Sequence, residues 1–260
     1  NLQDDPDIDA IMWIGYPGAY GFYGVADVLN GTVSPSAHLG DVMAKNSAVA
    51  PAMSNYGNVA WKNASDFSED AAVNSYLMEA EGIYTGYRYY ETRYADIVMG
   101  NGGDTASAGT YAASDGTVAT ADGTWDYANE VVYPFGYGLS YATFEVSDVK
   151  VAKTGANTAS VSAVVKNTSD VDAAETVQVY VAPGKSAVAR PIHELKGFRK
   201  VFLKAGESAE VSFDLDERAF AYWSEKFDDW HVESGEYAIE VGTSSRDIAG
   251  TGVVELDGDG

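Results

Sequence analysis

Glu79, Glu81 and Glu91 lie among Tyr76, Tyr84, Tyr87, Tyr89, Tyr90 and Tyr94. Two carboxyl groups beside aromatic rings are the residue set from which general acid/base chemistry is built. The spacing argues against a working pair, because on a helix Glu81 and Glu91 stand about 80° out of phase by the 3.6-residue period. Carboxylates solvated or salt-bridged near Arg88 and Arg93 are the common outcome of such a charge pattern, and the tyrosines read first as packing groups. The chain has no cysteine, which excludes disulfides, thiolate nucleophiles and Cys-type zinc sites. Its three histidines, His38, His193 and His231, show no ligand spacing, so no metal and no cofactor is expected. His38 reads as a hydrogen-bonding turn residue and His193 as a structural residue at a strand entry. The glycine turn from Gly15 to Gly21 is placed to hold a phosphate at a helix N-terminus, but it carries neither GxGxxG nor a Walker pattern. Asn30-Gly31-Thr32, Asn63-Ala64-Ser65 and Asn167-Thr168-Ser169 fit the glycosylation sequon, a triplet that also arises by chance.

The elements that must carry these residues fall into two kinds of text. Ile8 to Ile14 is a short apolar run ending at Gly15, suited to a strand buried on both faces. Phe22, Val25, Ala26 and Leu29 then recur at helical spacing, and Asn30-Gly31 supplies a stop with Gly31 in the left-handed position. Together these predict strand, glycine turn and helix, the β-to-α half of an α/β unit. Residues 32–75 are weakly periodic, and from Ala95 to about Asn129 Gly, Ala, Ser, Thr and Asp dominate, with Tyr111, Trp125 and Tyr127 as anchors. A structureless stretch of that length is either functional or mobile. From Tyr141 onward the text alternates: Phe144 to Val151, Ser160 to Lys166, Thr176 to Val181, Ala209 to Leu215 and Tyr237 to Val241. Turn signals separate these runs, which predicts an antiparallel, immunoglobulin-like β-sandwich.

Composition bounds the function. At 260 residues and 46% apolar content, one large or two small domains with real cores fit. With 16 Lys and Arg against 39 Asp and Glu the formal charge is −23, a field that repels phosphate backbones and anionic lipids. Nucleic-acid and membrane-surface binding are therefore not expected, while neutral substrates stay open. No apolar run of about 18 residues predicts a transmembrane helix. The start, Asn1-Leu2-Gln3-Asp4-Asp5, has no Met, basic region or apolar signal core and reads as the middle of a larger protein or a cut chain. The absence of Cys fits a cytoplasmic or an exported bacterial protein equally.

Tyr133-Pro134-Phe135-Gly136-Tyr137-Gly138-Leu139-Ser140-Tyr141, followed by Thr143-Phe144, closely resembles the FPFGYGLSYTTF hinge of glycoside hydrolase family 3. Further segments resemble that family in order. Ala10 to Gly31 resembles its strand–GxPG–helix segment. Ser34 to Leu39 occupies the place of NPSGRLP, departing at Ala37, His38 and Gly40. Glu81 to Tyr90 resembles EGIYVGYRYYD. In the sandwich text, Val164 to Val171, Glu175 to Val181, Arg190 to Phe198, Gly235-Glu236-Tyr237 and Gly242 to Ile248 match. The resemblance implies α/β plus all-β architecture: a partial (α/β)6 sandwich domain over residues 1–94, a long loop over 95–132, and a hinge with a fibronectin type III-like β-sandwich over 133–260.

The family's enzymes are mainly β-glucosidases that act with retention. An Asp nucleophile on a (β/α)8-like barrel works with a Glu acid/base in the sandwich domain, and the two carboxyl groups stand roughly 5 Å apart. This chain matches neither catalytic motif, so the resemblance implies no catalytic residue here. It implies instead a part of a β-glucosidase whose partner is the missing catalytic portion, the barrel and the start of the sandwich domain. The expected substrate is a β-glucoside or oligosaccharide, and a homo-oligomer is compatible with the sequence. Tyr111 and Trp125 are the candidates for the substrate rim, since aromatic rings suit the apolar faces of pyranoses and long loops carry function. The YYETRY wording and the long insert resemble bacterial members with inverted domain order, which would make Asp257-Gly258-Asp259-Gly260 a linker into the barrel. A non-catalytic carbohydrate-binding or structural module is the alternative.

Overall fold

The computed structural model describes residues 2–47, 53, 59–60, 62–63, 66, 75–76, 82–93 and 127–259. Two compact units are present, one of Asn1–Gly40, Phe135–Val181 and Leu195–Gly260, the other of Asp41–Pro134 and Ala182–Glu194. In chain order come helix α1 (Gly21–Leu29), the two-residue strands β1 (Met43–Ala44), β2 (Val59–Ala60) and β3 (Ser75–Tyr76), and helices α2 (Tyr87–Arg93) and α3 (Tyr127–Glu130). Strands β4 (Val131–Tyr133), β5 (Phe144–Lys153), β6 (Ala159–Asn167), β7 (Ala173–Pro183), β8 (Glu194–Leu203) and β9 (Ser208–Leu215) follow. Helix α4 (Glu217–Phe220) precedes β10 (Tyr222–Ser224), β11 (Asp229–His231), β12 (Gly235–Gly242) and β13 (Ile248–Leu256). Among the described residues no helix is long and apolar enough to cross a membrane.

The first unit is built on a seven-stranded β-sandwich, the sheet β13-β12-β7-β8 facing the sheet β5-β6-β9. Strand side chains alternate between faces, so the inward set recurs every second residue. Val161, Ala163 and Val165 of β6, Val211, Phe213 and Leu215 of β9, and Tyr237, Ile239 and Val241 of β12 fill the space between the sheets. Burying one such Val or Ile side chain stabilises by roughly 1.5–3 kcal/mol. Strand β7 departs from the alternation. It is buried continuously from Val177 to Val181, with Val177, Val179 and Val181 in the core and Gln178 and Tyr180 buried on its opposite face. Strand β5 carries a bulge, with the register against β6 slipping between Ser147 and Lys150 and Asp148 at a φ of 52°.

Strand β13 contains Gly250 and Gly252, and a Cβ at either would strike Val149 or Val151 of β5. Glycine there lets the edge of one sheet approach the edge of the other. Asp257-Gly258-Asp259 is tied into the same unit and is not a free linker. The Asp259 carboxylate accepts from Asn157 Nδ2 at 2.7 Å and from the Val232 N–H at 2.6 Å, and the Gly258 N–H donates to Asn157 Oδ1 at 2.9 Å.

The α/β text is only partly realised. Helix α1 forms where its periodicity predicts, and Gly31 takes a φ of 78° behind the Asn30 cap. The run Ile8–Ile14 is not a strand, however, and its side chains are exposed, Trp13 to 71%. A strand of that kind needs hydrogen-bonded neighbours and a cover on each face, and no described strand pairs with it. In the second unit, β1 pairs with β4 and β2 with β3, all antiparallel. Residues 127–133, inside the stretch that reads as loop, form α3 and β4.

Asn167, at the end of β6, is fully buried and its side-chain amide is committed. Nδ2 donates to the Val171 and Leu203 carbonyls at 2.7 and 3.2 Å, and Oδ1 accepts from the Ser169 N–H and hydroxyl at 3.0 and 2.7 Å. The Asn167 sequon is therefore a structural corner. Asn167→Ala leaves the Leu203 carbonyl without that donor and loosens the partly exposed Ser169–Val171 turn, which costs about 1–3 kcal/mol and lowers the melting temperature by about 4–12 °C for a domain of this size. Calorimetry checks it; a melt within 2 °C of wild type removes the argument.

Candidate functional site

Two constellations of polar and aromatic side chains occur, one in each unit. In the first unit, Ala37-His38-Leu39 runs against the hinge. The Leu39 N–H donates to the Tyr137 carbonyl at 2.8 Å and the Gly136 N–H to the Leu39 carbonyl at 2.9 Å. Ser34 and Ser140 hydroxyls meet at 2.8 Å, and the Tyr141 hydroxyl donates to the Val28 carbonyl at 2.9 Å. Gly136 sits at a φ of 78°, and a Cβ there would collide with the Gln178 amide. Its carbonyl accepts from Gln178 Nε2 at 3.1 Å and from His38 Nδ1 at 2.5 Å. Gln178 also donates to the Thr243 carbonyl at 2.6 Å and accepts from the Tyr180 hydroxyl at 2.6 Å. The buried polar face of β7 is thus what holds the hinge.

His38 Nε2 lies 2.7 Å from Glu175 Oε1, both side chains being about nine-tenths buried. Burial by itself pushes the imidazole pKa down. The hydrogen bond to Glu175, the bond to the Gly136 carbonyl and the Glu175 charge outweigh burial and the opposing charge of Lys200, so the net direction is up. With both ring nitrogens against acceptors, the imidazolium is the species that fits. This clasp is structural and offers no free nucleophile or base.

In the second unit, Tyr84, Tyr89, Tyr90, Tyr127 and Val131 form a small buried cluster with Val42 and Ala44 against it. Glu91 is 2% exposed and accepts from the Tyr127 hydroxyl at 2.9 Å. It is a buried acceptor and not the solvated carboxylate that the charge pattern predicts. Arg88 instead meets Glu194, Nε to Oε1 at 3.1 Å, as an ion pair without the alignment of a hydrogen bond. The Thr92 hydroxyl accepts from the Ile192 N–H at 3.0 Å, and Tyr87 tilts against the buried His193 ring, 6.4 Å between centroids. Burial, then the charges near Tyr89, Glu130 and Asp41, push the Tyr90 pKa well above its ordinary value, so that phenol stays protonated.

Glu79, Glu81, Tyr111 and Trp125 lie outside the described residues. No group of three or more His, Asp or Glu that could hold a metal occurs among the described residues. A shallow concavity of about 450 Å3 is lined by Lys153, Ser234, Gly235, Glu255, Leu256 and Asp257, and its lysine is already paired with Asp257 at 2.6 Å. What sequence reasoning missed is the aromatic hairpin β10–β11. There Trp223 lies opposite Trp230, and the signal for it was Tyr222-Trp223 followed by Trp230-His231 around a four-residue turn.

Comparison with known proteins accords with this architecture. Residues 175–245 match the fibronectin type III-like domain family. Over 243 residues the chain is 53% identical to an exo-α-(1→6)-L-arabinopyranosidase of Bifidobacterium breve, covering 94% of this chain and 26% of that protein. It is 38% identical over 227 residues to thermostable β-glucosidase B of Acetivibrio thermocellus, covering 86% of this chain and 24% of that one. The crystal structure of a GH3 β-glucosidase from Bifidobacterium adolescentis superposes with a TM-score of 0.69 at 55% identity, covering 92% of this chain and 28% of its own. The proteins that this chain resembles along most of its length are glycoside hydrolases, one of them a GH3 β-glucosidase of solved structure, and residues 175–245 carry a fibronectin type III-like domain. The chain spans about a quarter of the length of the curated relatives it matches.

The clasp makes a pH prediction. Because the folded His38 pKa is raised, its contribution to stability is complete below the unfolded value of about 6.5 and is lost as pH rises through the folded value. The melting temperature of wild type should therefore fall relative to His38→Gln as pH is raised upward from about 6.5. A wild-type minus variant difference that stays constant across that window contradicts the assignment.

Proposed function

We propose that this chain is one part of a retaining β-glycosidase, a β-glucosidase in the first instance, that removes terminal non-reducing β-linked sugars. Its nucleophilic Asp and its acid/base Glu both lie outside the chain. The observation that carries the reading is identity above 50%, over more than nine-tenths of the chain, to an arabinopyranosidase and a GH3 β-glucosidase. The two named activities are chemically close. An α-L-arabinopyranoside presents its anomeric bond in the same equatorial sense as a β-D-glucoside, differing at C4 and lacking the C6 hydroxymethyl, so one pair of carboxylates on opposite faces of the ring serves both.

In this reading residues 1–94 belong to the α/β sandwich domain, the loop expected over 95–132 ends where α3 begins at Tyr127, and 133–260 form the hinge and β-sandwich. The partner is the catalytic remainder of the same enzyme. Two observations support it. Ile11, Met12, Trp13, Ile14, Phe22 and Leu29 all face solvent within 19 residues of sequence, a concentration of apolar surface that marks a covered face in the working protein. The two carboxylates beside the tyrosine cluster are committed, Glu91 to Tyr127 and Glu194 to Arg88. Tyr111 and Trp125 are proposed as sugar platforms at the rim.

The isolated chain should release p-nitrophenol from its β-glucoside or α-L-arabinopyranoside no faster than buffer. The product of the complete gene should release it, with the first-formed sugar retaining the anomeric configuration by proton NMR. Turnover by the isolated chain, or inversion by the complete protein, sinks the proposal. In the complete protein, alanine at both Tyr111 and Trp125 should raise KM several-fold with kcat held; an unchanged KM removes both from the rim.

A further inference from the structure

The described residues include a cluster of aromatic rings that neither the core nor the hinge employs. Strands β10 and β11 form a hairpin in register, Tyr222 opposite His231, Trp223 opposite Trp230 and Ser224 opposite Asp229. The two indoles stand edge to face with centroids 5.6 Å apart. Phe227, in the turn, tilts over His231 at 4.7 Å. Trp223, Trp230 and Phe227 are 48%, 44% and 48% exposed, and none of them joins the core cluster.

The hairpin is held at both ends. Helix α4 precedes it, capped by Asp216, whose carboxylate accepts from the Ala219 N–H at 3.2 Å. Behind it, His231 lies 3.5 Å from the Asp259 carboxylate that also takes the Val232 N–H. The rings are therefore presented by a fixed ribbon, which lowers the ordering cost of any contact they make.

We propose that this hairpin is a carbohydrate-binding surface for the pyranose units of a neutral polysaccharide. Three features select that ligand. A pyranose ring has an apolar face of C–H bonds and a rim of hydroxyls, so it calls for an aromatic plane beside charged hydrogen-bonding groups. Here Arg218 lies 3.1 Å over the Trp230 ring and Lys226 4.7 Å from the Phe227 centroid. Arg218 covers Trp230, and Phe227 is flanked by Lys226 and His231, which leaves Trp223 as the stacking ring, with Arg218 beside the indole pair as a donor to hydroxyls. Finally, the chain's charge of −23 opposes an anionic polymer and leaves a neutral one favoured. The inference rests on the glycosidase reading for its choice of sugar, and a polymer held on the β-sandwich would raise the local concentration of chain ends near the catalytic remainder.

Native gel electrophoresis of the 260-residue chain in gels containing hydroxyethyl cellulose, laminarin or arabinogalactan tests this, with polygalacturonate as the anionic control. Retardation is expected in at least one neutral gel and not in polygalacturonate. Trp223→Ala and Trp223→Leu should each weaken it at least fivefold, while Phe198→Ala, an exposed ring on β8, should leave it intact; circular dichroism shows that each variant is folded. Three results overturn the proposal: no retardation of wild type by any neutral polymer, retardation unaltered in both hairpin variants, or a doubled solution mass that Trp223→Ala returns to monomer, which assigns the hairpin to a second copy. The assay reads binding without turnover, so it fails or succeeds separately from the hydrolysis experiments.

Discussion

The dry layer between the two sheets is the constraint on which the rest of the first unit depends. Val165, Val177, Val179 and Ile239 have no exposed surface at all, and each belongs to a strand whose register is fixed by its neighbours. A slip of one residue would turn that set outward and bring Lys166, Thr176 or Glu240 in. The bulge at Asp148, the Asn167 corner and the glycines of β13 are consequences of holding that register. The first twists an edge strand, the second satisfies the carbonyls where β6 ends, and the third lets two sheet edges meet. Polar groups inside such a layer are acceptable only when fully bonded, and Asn167 meets that condition.

Gln178 extends the same logic outward. Strand β7 lies inside its sheet, between β12 and β8, and its second face is buried too, at Gln178 and Tyr180. The cover is the hinge segment, and the link is a backbone carbonyl, that of Gly136, receiving two side-chain donors. A carbonyl has two lone pairs, and here His38 and Gln178 use both. The segment around Ser34–Leu39 is thereby fastened to the β-sandwich through hydrogen bonds that need no particular apolar packing. This explains how a glycine-rich aromatic turn holds one conformation without a core of its own.

Much of this was legible in the residues. The alternating runs at 144, 160, 176, 209 and 237 all became strands, because a face buried against a second sheet writes itself as period two. Helix α1 and its Gly31 stop were equally plain. Strand β13 was not, since Gly250 and Gly252 interrupt any alternation, and only the neighbouring Val149 and Val151 explain their smallness. The run Ile8–Ile14 failed in the opposite sense: its composition is that of a buried strand, yet a strand is a property of a pair, and among the described residues its pair is missing. The burial of Glu91 was also hidden, because charge pattern reports the partners close in sequence and not Tyr127, which lies 36 positions away. Trp223 and Trp230 escaped notice for a related reason. Seven positions apart, they read as unrelated until a hairpin sets them opposite each other.

The contrast between those two exposed aromatic regions bears on how surface is to be interpreted. Ile11, Met12, Trp13 and Ile14 are contiguous and apolar, and no cation of the described residues lies over the Trp13 ring. That is the composition of a face that another piece of protein covers, for burial would strand few polar groups. Trp223, Phe227 and Trp230 sit instead among Arg218, Lys226, Asp228 and Asp229, and covering them with an apolar partner would desolvate charges with nothing to replace the water. A ligand that brings its own hydroxyls does not incur that cost. The physical chemistry of the two surfaces therefore differs: that of Ile11–Ile14 suits a protein neighbour, and that of the hairpin suits an exchangeable, hydrogen-bonding ligand.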